Sequence, residues 1–199
     1  MSSVVAYLSK HPGYRLFRHE LELYRDTWKW FRGRVDVPTG ARLLPYPAGR
    51  VQMVGMLSAV MSVEMVCVHL LLPVGTIRLL ALVISLWGLA FMWAALASER
   101  VYPSYVTDDE VVLRRGRHIF ATIPMHCVEQ ARLRRTFASE ITVEGAELVV
   151  GGPSGTDTEL SLTVPIQASK DTFFWQRSVP AAVTRVRFYS GSAKGQRLL

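Results

Sequence analysis

Two apolar runs, Val51–Leu72 and Ile77–Ala97, stand out from a chain that otherwise mixes apolar and charged positions. Each is about 20 residues long, enough for an α-helix rising about 1.5 Å per residue to cross a hydrocarbon core of roughly 30 Å. Only Pro73-Val74-Gly75-Thr76 separates them, so the pattern predicts a tight transmembrane hairpin. Ahead of it, Tyr14, Phe17, Leu21, Tyr24, Trp28 and Phe31 recur at spacings of three and four, with Arg15, Arg18, Glu20, Glu22, Asp26 and Lys29 between them. This period predicts an amphipathic helix over 14–31, with His11-Pro12-Gly13 as the breaker before it and Gly33 as its C-cap. Its aromatic face fits two placements equally well: lying in a bilayer interface, or packed on the C-terminal domain or a partner subunit. Residues 34–50 contain Pro38, Pro45, Pro47, Gly40 and Gly49 and read as an extended linker.

Behind the hairpin the period shortens. Val101–Val106, Val111–Arg114, His118–Ile123, Cys127–Leu133, Ser139–Val143, Leu148–Val150, Glu159–Val164 and Val183–Tyr189 read as short strands, most of them rich in β-branched or aromatic residues. Turn signals such as Arg115-Gly116, Glu144-Gly145 and Ser190-Gly191 separate them, and Gly151–Gly155 reads as a hairpin loop. The stretch 170–179, with Phe173-Phe174-Trp175, suits either a short helix or an aromatic loop, and the tail from Gly191 is expected to be mobile. The fold class predicted is an α+β membrane protein: an amphipathic arm and linker over 1–50, a transmembrane hairpin over 51–97, an antiparallel β-barrel or sandwich over 98–190, and a tail over 191–199.

A helical hairpin followed by Val106-Thr107-Asp108-Asp109-Glu110-Val111-Val112-Leu113-Arg114-Arg115-Gly116, and then by a strand ending Ile123-Pro124, resembles the bacterial PH-like membrane proteins of actinobacteria. The likeness covers about residues 45–190 and rests on layout. It implies a PH-like, seven-stranded barrel capped by a C-terminal helix, and it carries over no binding residue. The chain departs from that pattern after about residue 165, where it reads as strand rather than helix.

Charge refines the picture. The net charge is +7, and residues 1–50 hold nine Lys/Arg against four Asp/Glu, whereas 98–199 hold thirteen against eleven. Arg42, Arg50 and Arg100 flank the hairpin on one side, which by the positive-inside rule places both termini in the cytoplasm of a multi-pass plasma-membrane protein. The membrane thereby accounts for the basic bias, and no recognition helix or zinc spacing argues for nucleic acid. Cys67 lies in the first span and Cys127 in the β-rich segment, a pair suited to neither a disulfide nor a metal site.

Between Val51 and Ala97 the only charged residues are Glu64 and Arg78. A carboxylate about 20 Å into a span is costly unless it is protonated or partnered, and Ser85 or another chain could supply the partner. Glu64 and His69, five residues apart, do not share a helix face, so a proton relay between them is disfavoured. Small residues pair at Gly55 and Ala59, Ser58 and Ser62, and Ala81 and Ser85, a pattern that serves close packing within the hairpin or against other transmembrane helices. Trp87 and Trp93 belong to the outer surface, with Trp93 in the aromatic belt. Arg114, Arg115 and Arg117 could meet anionic lipid headgroups, or form a solvated face with Arg132, Arg134 and Arg135 balanced by Glu110, Glu129 and Glu140.

No nucleotide-binding, nucleophile-elbow or zinc-protease motif occurs, and a lone His69 is too little for haem. The expectation is therefore a non-enzymatic chain without cofactor or small-molecule substrate. It would serve as an accessory subunit of a larger integral membrane complex, such as a respiratory-chain oxidoreductase assembly. Docking to other integral membrane subunits would use Glu64, Gly55, Ala59, Ser62, Trp28 and Phe31. The alternative is a free-standing PH-like module that binds anionic lipid or a peptide.

Overall fold

The computed structural model describes residues 12–47, 49–171 and 179–191. Phe173-Phe174-Trp175 and the tail beyond Gly191 therefore lie outside the described residues, as do the side chains of Tyr14 and Phe17. The described residues hold three α-helices: α1 (Pro12–Phe31), α2 (Arg50–Leu71) and α3 (Thr76–Val101). Both α2 and α3 are long and apolar enough to cross a membrane, and only 6% and 11% of their most apolar stretches are buried inside the protein. A core helix of a water-soluble domain would be covered, whereas these two present Met56, Val60, Val63, Leu70, Ile77, Leu80 and Ile84 outward.

The α2–α3 seam follows Val54, Ser58, Met61, Met65 and Val68, which are the inward-turned positions at spacings of four and three. Met61 approaches Gly88, where a side chain would meet its methyl at 3.4 Å. Trp93 Nε1 donates to Ser58 Oγ at 3.0 Å, and at the turn Arg78 Nε donates to His69 Nδ1 at 3.0 Å. Trp93 thus belongs to the seam rather than to an outer belt, and Arg78 draws His69 across the turn.

Nine strands follow α1 among the described residues: β1 (Arg42–Leu43), β2 (Tyr105–Val106), β3 (Glu110–Arg115), β4 (His118–Pro124), β5 (Val128–Thr136), β6 (Ile141–Glu144), β7 (Glu147–Val150), β8 (Thr156–Ala168) and β9 (Ala181–Phe188). They form one sheet in the order β1-β2-β3-β4-β8-β9-β7-β6, with β5 added beside β8. All pairings are antiparallel except β7 with β9. The long β8 shifts register against β9 between Ser161 and Ile166, so its first half pairs with β5 and its second half meets β4. The bend wraps the sheet around a core of Leu113, Phe120, Ile123, Leu148, Val183 and Val186.

Several expectations need correction. Among the described residues the sheet does not close, so a barrel is not what forms, because no ladder joins β1 to β6. Residue 101 ends α3 instead of starting a strand, and only Tyr105–Val106 of that stretch is extended. His126 and Cys127 sit on a short 3-10 turn, Met125–Cys127, before β5. Gly151–Gly155 joins β7 to β8, which are not neighbours since β9 lies between them; it is a crossover loop rather than a hairpin. Part of the Pro-rich linker is β1, which pairs with β2 through Arg42↔Val106 and Leu43↔Tyr105 and places Leu44 in the core. The strand reading after residue 165 is matched by the end of β8 and by β9.

Candidate functional site

The densest polar chemistry forms a collar where the hairpin meets α1 and the sheet. Its centre is Asp26, which has no exposed surface. Arg117 grips it with both arms of its guanidinium, Nε to Oδ2 at 2.8 Å and Nη2 to Oδ1 at 2.7 Å, and Ser98 Oγ donates to Oδ2 at 3.1 Å. One carboxylate thus ties α1 to α3 and to the β3–β4 turn. Gly116 makes that turn possible: its φ is +58°, and a Cβ there would stand 2.8 Å from Ser98 Oγ. The Asp26 hydrogen bonds hold the Arg117 pKa above its ordinary value, against the opposing effect of burial.

Beside this pair, Lys29 Nζ donates to Tyr102 Oη at 2.8 Å, a bond that raises the lysine pKa. The same Tyr102 ring faces Lys29, Arg114 and Arg117 at 5.1–5.4 Å from its centroid. On the other side of the collar, Arg50 Nη2 and Nε bond the two oxygens of Glu99 at 2.7 and 3.2 Å. Tyr46 Oη donates to Glu99 Oε2 at 2.7 Å, and burial, with Glu99 beside it, pushes the Tyr46 pKa up. These groups border a small cleft of about 100 Å³, floored by Leu113, Phe120 and Phe188 and roofed by Gly151–Gly155. Across the sheet, the buried Glu159 accepts from Arg187 at 2.9 Å and Arg134 at 3.1 Å. Burial acts to raise its pKa, but the two guanidinium groups prevail and lower it.

The three arginines assigned to headgroups are engaged within the protein. Arg114 donates to the carbonyls of Pro103 and Asp36, Arg115 pairs with Asp171 at 2.8 Å, and Arg117 is bound to Asp26. Their counter-charges are therefore Glu22, Asp26, Asp171 and Glu99 rather than Glu110, Glu129 and Glu140. Glu64, Gly55, Ala59 and Ser62 are all exposed on α2. Glu64 has no hydrogen bond or ion pair among the described residues, so Ser85 does not satisfy it. Gly55 has open space around its Cβ position, and Ser62 Oγ turns back to the Ser58 carbonyl at 2.8 Å. Of the small pairs, Ser58, Ala81 and Ser85 lie toward the seam, while Gly55, Ala59 and Ser62 lie beside it.

Trp28 and Phe31 are 58% and 74% exposed, and Leu21 and Tyr24 accompany them. Among the described residues, the Leu21, Tyr24, Trp28 and Phe31 part of the aromatic face therefore does not pack on the C-terminal domain. The opposite face does the packing, with Leu23 and Asp26 turned toward α3. Cys67 and Cys127 are free thiols, and among the described residues no three His, Cys, Asp or Glu side chains lie close enough to hold a metal ion.

Sequence reasoning passed over Asp26 as a polar spacer and missed Asp157. The latter accepts from the Ser190 and Gly191 amides at 2.7 and 2.8 Å and fastens the end of the described chain. No signal in the local sequence marks either carboxylate, since their partners are distant along the chain. No protein-family model matches this chain, and no curated protein or solved structure matches it either.

Proposed function

We propose that this chain is a non-catalytic accessory subunit of a larger integral membrane complex, anchored with α2 and α3 across the bilayer and docked through the outer face of α2. The observation that carries the reading is Glu64. It stands exposed in the middle of an apolar helix, with no partner among the described residues. An ionised carboxylate facing acyl chains costs about 3 kcal/mol or more, and a donor on a neighbouring transmembrane helix removes that cost. Gly55, Ala59 and Ser62 lie on the opposite flank of α2, where they would let a second helix approach closely.

Recovery of a C-terminally tagged chain from its native membrane in mild detergent, followed by mass spectrometry and an absorption spectrum, tests this. Stoichiometric integral subunits should accompany the chain, a respiratory-chain oxidoreductase assembly being the first host to look for, and Glu64→Lys should abolish their recovery. Equal recovery with Glu64→Lys would remove the basis for docking at this residue. The second reading, a free-standing PH-like module that binds headgroups through Arg114, Arg115 and Arg117, would require those groups to leave Asp26, Asp171 and the backbone carbonyls they now hold.

A further inference from the structure

Among the described residues, the Leu21–Tyr24–Trp28–Phe31 stripe of α1 is held away from the body of the protein, and its position, composition and charge point to what covers it. Asp26 meets Ser98, Lys29 meets Tyr102, and the Asp36 amide donates to the Val101 carbonyl at 2.8 Å. The C-terminal half of α1 therefore lies along the last turn of α3. That helix has 26 residues, about 39 Å at 1.5 Å per residue, which exceeds a hydrocarbon core by roughly 9 Å. The surplus falls at its C-terminal end, where Glu99 and Arg100 interrupt the apolar run. A spanning α3 thus leaves the hydrocarbon at the level where α1 rests against it.

Composition agrees with that level. Leu21, Tyr24, Trp28 and Phe31 form one exposed stripe, the amphipathic aromatic type that settles among headgroups. Charge agrees as well. Arg18, Arg25 and Arg32 are spaced seven residues apart, fall in one row along a single flank of the stripe, and are all exposed. Arg32 lies 4.8 Å over the Trp28 ring, and Arg18 is shared with Glu22 at 3.1 Å. The acidic Asp26 is on the opposite face, consumed by Arg117 and Ser98.

We infer that α1 is an interfacial helix whose Leu21–Tyr24–Trp28–Phe31 stripe seats in the headgroup layer of the leaflet from which α3 emerges, with Arg25 and Arg32 on anionic lipid phosphates. The Asp26 clamp sets the rotation of α1 about its axis, so the stripe faces lipid instead of solvent. This placement rests on α2 and α3 spanning the bilayer, and the experiment separates the two claims.

A photoreactive benzoylphenylalanine replaces Trp28 in one full-length chain and Val60, an exposed residue midway along α2, in another. Both are irradiated in native membranes, and then as purified chains in nanodiscs of phosphatidylglycerol or phosphatidylcholine. Lipid adducts at both positions are expected, and Arg25→Gln with Arg32→Gln should lower the position-28 yield in phosphatidylglycerol but not in phosphatidylcholine. A lipid adduct at position 60 with only protein adducts, or none, at position 28 would overturn the interfacial helix and leave the span intact. Absence of lipid adducts at both positions would overturn the span itself. An unchanged phosphatidylglycerol yield in the double variant would remove the arginines from the contact.

Discussion

The two ends of α3 are stabilised in opposite ways. From Thr76 to about Phe91 the helix turns most of its large side chains outward and grips α2 along one narrow row, with few polar contacts. From Ala94 to Val101 the same helix is buried at Ala94, Leu96, Ala97, Ser98 and Val101 and ringed by ion pairs. With the first region in lipid, as proposed above, apolar packing against lipid would be as good as packing against protein, so shape alone would hold the helices together. In the second, water competes for every charge, and only pairs shielded from it contribute much. The lesson is that the hairpin is joined by close fit while the collar, by paired charges, sets the arrangement of the parts.

The contrast can be broken most strongly at Asp26. Asp26→Ala leaves Arg117 and Ser98 without their acceptor and should cost about 2–4 kcal/mol, discounted from a fully buried pair because Arg117 is partly exposed. Hydrogen exchange in detergent should show α1 opening while α2 and α3 stay protected; unchanged α1 protection would refute the clamp. Gly116→Ala should cost about 1–2 kcal/mol, from its positive φ and the Ser98 contact, and pairing it with Ser98→Gly should recover part of that loss. A strictly additive double variant would show that the two positions do not touch. In the hairpin, Trp93→Phe removes one hydrogen bond to Ser58 and should cost only about 0.6 kcal/mol, read as a small shift in thermal stability.

Acid sharpens the comparison from the sheet side. The folded pKa of Glu159 is lowered, so its stabilising contribution is fully present above the unfolded carboxylate value and is lost as pH falls through the folded one. The stability difference between the wild type and Glu159→Gln should therefore be constant near neutrality and vanish in acid, as followed by thermal melts across pH. A difference independent of pH would mean that the carboxylate does not act through its charge.

The hairpin was legible because length and composition alone define it; the bounds of α2 and α3 differ from expectation chiefly where α3 continues through the polar Ser98, Glu99 and Arg100. Most strands were legible from β-branched residues between turn signals. What stayed hidden depended on pairing over long distances. β1 is two residues in a Pro-rich linker and exists only because β2 accepts it. The sheet stays open because its edge strands β1 and β6 do not pair, and alternation along one strand does not encode which strands pair. The packing face of α1 stayed open for the same reason: Asp26 reads as solvent-facing until Arg117, 91 positions away, is seen to neutralise it. Of the candidate site, Glu64 was singled out from the sequence, and the collar was not.

The unbroken run of α3 from the hairpin turn into the collar gives the protein a lever. Its far end is fixed by Ser98, Glu99 and Val101 to α1, α2 and the chain that leads into the sheet. A bilayer that thickens or thins tilts a span by degrees rather than stretching it. Tilting a rod of about 39 Å by roughly 10° swings its end by about 7 Å. Because the pivot and the load are parts of one helix, a tilt of α3 in the proposed spanning arrangement would be carried into how the β-rich body leans over the surface.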